Sequence, residues 1–281
     1  MSKILIIPAP IRSHILPSLY LGELFQNKNE IFYASLDGEF SELIQKNGFN
    51  FILLNTDRFA SGFDPLNVYN LHGGKLSLRF FVSAIHNYFN KVTYKNRRDS
   101  LIKIIDAIQP SLVVIDIFSS TDFLILKPIY KHLQIVLFNP MLNTFDLTVT
   151  EKKKSSLGDF IKGKNAFKKI KNALLIKAFA KITGYDPKPQ LKWIINRNPI
   201  LKEFPILKGN KYVILFRDIP ELILAPIELE LSPKIKRENQ IYLGLSLVSN
   251  RVDTMLDDNF ANQFSKIIEQ KNTFQCKQLR D

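Results

Sequence analysis

Two side chains in this sequence have types and positions that suit acid–base chemistry. His14 comes shortly after an apolar run, residues 3–8, and begins a segment whose apolar residues recur at helical spacing. Asp116 lies near the end of another apolar run, residues 111–118. A histidine that is oriented by a carboxylate acts as a general base. The two residues therefore predict a proton-abstracting pair, provided that the fold brings them together.

Each of these residues also fits a purely structural role. A histidine at the start of a helix can hold a hydrogen bond there without doing chemistry, and an aspartate after a strand commonly caps the next helix. A place where the strand order of a parallel sheet reverses would favour the catalytic role for both residues. Asp122, a few residues later, is expected to be solvated or to cap its helix.

The elements that must position this pair alternate along the chain. Short, continuously apolar runs predict buried parallel strands, and the segments between them have helical spacing. This alternation predicts an α/β fold, a Rossmann-like doubly wound parallel sheet. The predicted strands are 3–8, 30–35, 49–55, 111–118 and 134–140, and the predicted helices are 14–28, 41–48, 75–108 with a break near Asn90, and 119–132.

Topology rules place the pair at one edge of this sheet. Right-handed crossovers and the strand order 3-2-1-4-5 make the first and fourth strands neighbours. Ligands of such sheets bind beyond the carboxyl ends of the strands, where the strand order reverses. Because neighbouring strands are about 5 Å apart, we expect His14 and Asp116 to come within reach of each other there.

Three stretches of the chain resemble the family 1 UDP-glycosyltransferases of the GT-B fold. IIPAPIRSHILPSLYLGELF is similar to the opening of those enzymes, with His14 and Pro17 on the family's Gly-His-x-x-Pro step and Ser13 in place of its glycine. QPSLVVIDIFSSTDF resembles the strand that carries the family's aspartate, which falls on Asp116. LAPIELELSPKIKRENQIYLGLSL is similar to the segment before the interdomain linker.

The resemblance implies an enzyme that transfers a hexose from a UDP-sugar to an acceptor hydroxyl, with inversion and without a metal or cofactor. His14 would be the general base, and Asp116 would orient it. The resemblance covers the acceptor-binding half of a GT-B enzyme, so we expect a truncated chain that needs a donor-half domain or subunit as its partner. Residues 1–256 would form the Rossmann-like domain, with a helical insertion at about 150–200. Residues 257–281 would form a closing helix and a polar tail.

The acceptor is expected to be a small or lipophilic hydroxylated molecule. The resemblance implies that aromatic and apolar side chains near the sheet edge line its pocket, and the candidates are Phe80, Phe118, Met141 and Phe145. For Phe80, a core stripe along its helix, shared with Phe81, Tyr88 and Phe89, is the competing interpretation.

Net charge adds a second feature. The chain carries a formal +13, and residues 151–192 hold 12 lysines against three acidic residues. Their amphipathic spacing suits a helix on an anionic membrane or over a lipophilic acceptor, and equally a helix whose lysines are merely solvated. The segment has no arginine, and its aromatic residues are not interleaved in the way that single-strand binders require, which argues against nucleic acid as the partner.

The sequence also argues against a disulfide-stabilised secreted protein and against a metal-binding protein. The single cysteine, Cys276, cannot form an internal disulfide, which is typical of a reducing cytoplasm, and no His or Cys spacing predicts a metal site. We therefore predict a cytoplasmic protein, and residues 151–192 are its candidate segment for peripheral membrane contact. The alternative to an enzyme is a non-catalytic acceptor-binding or scaffold subunit of a split glycosyltransferase at a membrane surface.

Overall fold

A computed structural model describes residues 1–60, 78–141, 187–207, 213–229 and 237–244. The chain divides into two compact units, Met1–Val248 and Ser249–Asp281, and every described residue belongs to the first. The predicted boundary at residue 256, the closing helix after it and most of the insertion at 150–200 lie outside the described residues.

A single parallel sheet organises the described part of the chain. Its seven strands have the order β3-β2-β1-β4-β5-β6-β7, so the strand order reverses beside β1. This confirms the predicted α/β, Rossmann-like fold class. The strands are β1 Ser2–Ile7, β2 Asn29–Ser35, β3 Asn50–Leu53, β4 Leu112–Asp116, β5 Gln134–Asn139, β6 Glu221–Ile223 and β7 Gln240–Tyr242.

Helices connect the strands, as the helical spacing predicted. The break predicted near Asn90 is confirmed: two helices occupy the described part of 75–108, and Lys91 between them has a left-handed backbone with φ 55°. The α-helices are α1 Arg12–Gln26, α2 Glu39–Lys46, α3 Leu78–Asn90, α4 Val92–Ile108, α5 Thr121–Ile129 and α6 Pro187–Arg197, and short 3₁₀ helices occupy Ile117–Ser119, Pro199–Glu203 and Ile227–Leu229.

Two hydrophobic clusters cover the faces of the sheet, which is why consecutive residues in the middle of its central strands are apolar on both faces. In β1, Ile4 and Ile6 face the cluster that contains apolar residues of α1 and α2. Leu5 and Ile7 face the opposite cluster, which contains apolar residues of α4 and α5. Helices therefore pack on both sides of the strands that carry the candidate residues.

Helix α1 lies unusually close to the sheet at Gly22. A Cβ atom on this residue would stand 2.6 Å from a ring carbon of Phe49 and 2.8 Å from the Tyr33 hydroxyl oxygen. That hydroxyl donates a 2.7 Å hydrogen bond to the backbone carbonyl of Ser18 in the same helix, and burial raises the pKa of Tyr33. These contacts set the position of α1, and with it the position of His14 in its first turn.

Replacing Gly22 with alanine is expected to destabilise the fold. The added methyl group cannot fit without moving α1 away from Phe49 and Tyr33, and overpacking of this kind costs about 1–3 kcal/mol. Urea denaturation would measure the loss. The control Gln26→Ala, at an exposed position of the same helix, should change stability by less than about 0.5 kcal/mol. A Gly22→Ala protein as stable as the control would contradict this packing.

Candidate active site

The structure brings His14 and Asp116 into direct contact across 102 residues of sequence. The Nδ1 atom of His14 lies 2.8 Å from the Oδ2 atom of Asp116. His14 is in the first turn of α1 and Asp116 ends β4, so the adjacent strands β1 and β4 hold the two residues at the same edge of the sheet. The side chains are 3% and 0% exposed, respectively.

This contact determines which nitrogen of His14 is available as a base. An ionised carboxylate can only accept hydrogen bonds, so Nδ1 carries the proton and donates a hydrogen bond to Asp116. The lone pair of the neutral ring is then on Nε2. Among the residues that the structure describes, Asp116 is the only hydrogen-bond partner of the His14 side chain. The arrangement is that of a general base oriented by a carboxylate.

The second oxygen of Asp116 caps the short helix that follows, which is the structural role that its position in the sequence also suggested. Its Oδ1 atom accepts a 2.8 Å hydrogen bond from the backbone N–H of Phe118, at the start of the 3₁₀ helix Ile117–Ser119. The predicted strand over 111–118 therefore ends early, at Asp116. The Asp116 carboxylate therefore both contacts His14 and caps the 3₁₀ helix. Each of its two oxygens has a hydrogen-bond partner, as a fully buried charge requires.

Phe118 stands beside the base. Its ring centroid is 4.3 Å from that of His14, with the two planes tilted by 44°. Of the other three predicted acceptor residues, Met141 is partly buried against the α4–α5 face of the core, and its N–H donates to the Asn139 side chain. The Phe80 side chain and all of Phe145 lie outside the described residues. The acceptor-binding role of all four stays a prediction.

Arg58 is a site residue that the sequence did not reveal. It follows β3 in a loop, and its Nη1 atom donates a 3.1 Å hydrogen bond to the backbone carbonyl of Phe118. Asp116 and Arg58 thus hold the two ends of the same residue, one at its N–H and one at its C=O. The only sequence signal was a cation in a polar loop, which has no characteristic spacing.

The roles expected for Asp122 are wrong. It is neither solvated nor a cap, because it is completely buried and makes a two-pronged ion pair with Arg97 of α4, at 2.9 and 2.6 Å. Arg97 also donates to the backbone carbonyl of Thr56, at 3.0 Å. Two arginines, Arg58 and Arg97, therefore tie the loop after β3 to the segment 116–122, which contains half of the candidate site.

The described ranges contain neither a metal-site cluster nor a helix that could cross a membrane. No three His, Cys, Asp or Glu side chains in this part of the chain are grouped as a metal site needs. No helix there is long and apolar enough to cross a membrane.

Comparisons with known proteins give structural similarities only. No family model matches the chain, and no curated protein matches it. Among solved structures, the chain is similar to the calicheamicin glycosyltransferase, with 15% identity, a TM-score of 0.49, and coverage of 88% of this chain and 52% of that one. It is also similar to a glycotransferase of kitacinnamycin, with 12% identity, a TM-score of 0.47, and coverage of 91% of this chain and 55% of that one. For SnogD, a glycosyltransferase from Streptomyces nogalater, the identity is 13%, the TM-score is 0.40, and the coverage is 91% of this chain and 53% of that one. The chain spans about half the length of these structures.

Removing the Asp122 carboxylate is expected to unfold much of the frame around the site. Asp122→Ala would leave the buried Arg97 guanidinium without its counter-charge, which typically costs about 3–5 kcal/mol. The control Asp99→Ala breaks the ion pair between Asp99 and Arg98, in which the Asp99 side chain is 63% exposed. Such surface pairs contribute about 0–1 kcal/mol. Chemical denaturation of both variants measures the difference. Equal stability of the two variants would show that the buried pair does not support the fold.

Proposed function

We propose that this chain is the acceptor-binding half of a glycosyltransferase that moves a hexose from a UDP-sugar to an acceptor hydroxyl, with His14 as the general base. The observation that carries the proposal is the buried 2.8 Å contact between His14 Nδ1 and Asp116 Oδ2 at the carboxyl edge of the sheet. The resemblance of both segments to family 1 UDP-glycosyltransferases gives the pair its reaction.

The reaction needs a base at the acceptor oxygen. The Nε2 atom of His14 takes the hydroxyl proton as the acceptor oxygen forms a bond to the anomeric carbon of the sugar. The bond between that carbon and the diphosphate oxygen breaks, and UDP leaves with the electron pair. Attack from the face opposite the leaving group inverts the anomeric centre. Asp116 stabilises the positive charge that the ring gains, and it keeps the reacting nitrogen turned away from itself.

Phe118 supports an acceptor with an apolar body. Its half-buried ring lies against His14, and its backbone is held by Asp116 at the N–H and by Arg58 at the carbonyl. An apolar or aromatic part of the acceptor would pack on this ring while its hydroxyl meets Nε2. Aromatic side chains provide such contact area together with a defined geometry.

The sugar donor would be held by a second domain. The turn between β1 and α1, PAPIRSH, contains no glycine, so it lacks the close backbone approach by which parallel sheets usually cradle a diphosphate. The proposed reaction therefore joins this chain, which supplies the acceptor and the base, to a donor-half domain or subunit.

A transfer assay tests the proposal. The chain is mixed with labelled UDP-glucose, a panel of hydroxylated acceptors and the donor-binding domain of a family 1 UDP-glycosyltransferase. We expect labelled product only in the complete mixture. His14→Ala should lower the rate by about 10²–10⁴-fold, the usual contribution of a general base. Asp116→Asn should also lower it strongly, because an amide favours the wrong tautomer of the ring.

The matched control is His132→Ala, since His132 is exposed and follows α5. Its rate should equal that of the wild-type chain. Product formation that survives His14→Ala would refute the base role. Acceptor binding without product in any mixture would favour the other candidate, a non-catalytic acceptor-binding subunit.

A further inference from the structure

A cluster of aromatic rings and cations lies where α3, α4 and α6 meet, away from the His14–Asp116 pair. The rings of Tyr94 and Trp193 meet edge to face, with centroids 5.0 Å apart. The ammonium of Lys91 is 4.1 Å from the ring centroid of Tyr88 and 5.3 Å from that of Trp193. The guanidinium of Arg197 is 5.4 Å from the same Trp193 centroid. We call this group the aromatic–cation face.

Apolar side chains project from the same region into solvent. Phe89, next to Tyr88 and 5.4 Å from its ring, is 72% exposed, and Val82 on the same helix is 60% exposed. The spacing of these two residues puts them on one side of α3. The expected core stripe is therefore wrong for Phe89. An exposed phenylalanine gains nothing from the fold, so its free energy of burial is available to a partner.

The surroundings of these apolar residues are strongly cationic. Residues 91–99 and 187–197 contain seven basic side chains and one acidic side chain. Arg97 is buried with Asp122, and Arg98 pairs with the single acidic residue, Asp99. The other cations there include Lys91, Lys95, Lys192 and Arg197.

We propose that the aromatic–cation face, with Phe89 and Val82, docks this protein on an anionic lipid bilayer. Tryptophan and tyrosine side chains concentrate at the boundary between lipid headgroups and acyl chains, because they have an apolar body and a polar tip. Projecting phenylalanine and valine side chains enter the acyl region, and the lysines and arginine bind anionic headgroups. The charges and the apolar groups are complementary to one surface, an anionic membrane.

Ring geometry favours lipid over single-stranded nucleic acid. Bases stack on open aromatic faces. Here Trp193 and Tyr94 pack against each other and are half-buried, and Lys91 lies over two of the rings. Phe89, 72% exposed beside Tyr88, is an apolar group that a bilayer can bury and a nucleic-acid backbone cannot. Residues 187–192, with Lys188 and Lys192, belong both to this region and to the segment 151–192 whose lysines suggested a membrane contact, whereas the three rings of the face, Tyr88, Tyr94 and Trp193, lie outside that segment.

The face is connected to the candidate active site through one loop. The Phe59 ring lies 5.1 Å from that of Tyr94, and its neighbour Arg58 hydrogen-bonds to Phe118. The proposed docking does not depend on the proposed transfer reaction.

The only tryptophan of the chain, Trp193, reports on this surface directly. The full-length chain is titrated with vesicles of phosphatidylcholine alone and with vesicles of phosphatidylcholine and phosphatidylglycerol in equal parts. We expect binding to the anionic vesicles, a blue shift of Trp193 fluorescence, and quenching by brominated lipid. Binding should weaken as salt screens the charges. Co-sedimentation gives the bound fraction independently.

Paired variants locate the contact. Phe89→Ser combined with Arg197→Glu should lower the affinity for anionic vesicles by at least about tenfold, since it removes one apolar group and reverses one charge. The control combines Leu24→Ser with Lys28→Glu, which makes the same changes at exposed positions of α1 and the turn after it. The control should bind like the wild-type chain, and circular dichroism should show both variants folded.

Three results would overturn the proposal. The first is vesicle binding without a change in Trp193 fluorescence, which would place the contact elsewhere, for example in residues 151–186. The second is equal loss of binding in the control variant. The third is binding to single-stranded oligodeoxythymidylate with no binding to anionic vesicles, which would assign the face to nucleic acid.

Discussion

The adjacency of β1 and β4 is the constraint on which the candidate site depends. Their parallel register pairs Ile7 with Ile115, so the chain leaves both strands at the same height. Asp116 is the next residue of one strand, and His14 lies one short turn beyond the other. A slip of one residue in β4 would turn the Asp116 carboxylate to the opposite face of the sheet. The 2.8 Å contact thus follows from the register of the central strands.

Around this contact, the structure fixes the backbone that follows β4. Asp116 accepts from the N–H of Phe118, and Arg58 donates to its carbonyl, so the ring beside His14 has little freedom. Behind this segment, the buried Arg97–Asp122 pair joins α4 to α5 and holds the loop that carries Arg58. Such order around a base is what proton transfer in a defined geometry requires. Buried charges are tolerated here because each has partners.

The sequence predicted the sheet and the pair because both rest on strong, general rules. Continuous apolar runs separate buried strands from helices, and right-handed crossovers determine which strands adjoin. Arg58 and the Arg97–Asp122 pair could not be predicted, because they join a loop to distant helices and follow no period. Helical spacing predicted a core stripe that included Phe89, because spacing alone does not show what covers a helix face, so the exposure of Phe89 emerged only from the fold.

The protonation of His14 tests the central claim most directly. Long-range ¹H–¹⁵N spectra of the intact chain, with His14→Gln to assign its signals among the four histidines, show which ring nitrogen of the neutral side chain carries the proton. The account predicts a protonated Nδ1 and an unprotonated Nε2 in the wild-type chain, and loss of that preference in Asp116→Asn. A proton on Nε2 in the wild-type chain, or the same tautomer in both proteins, would contradict it.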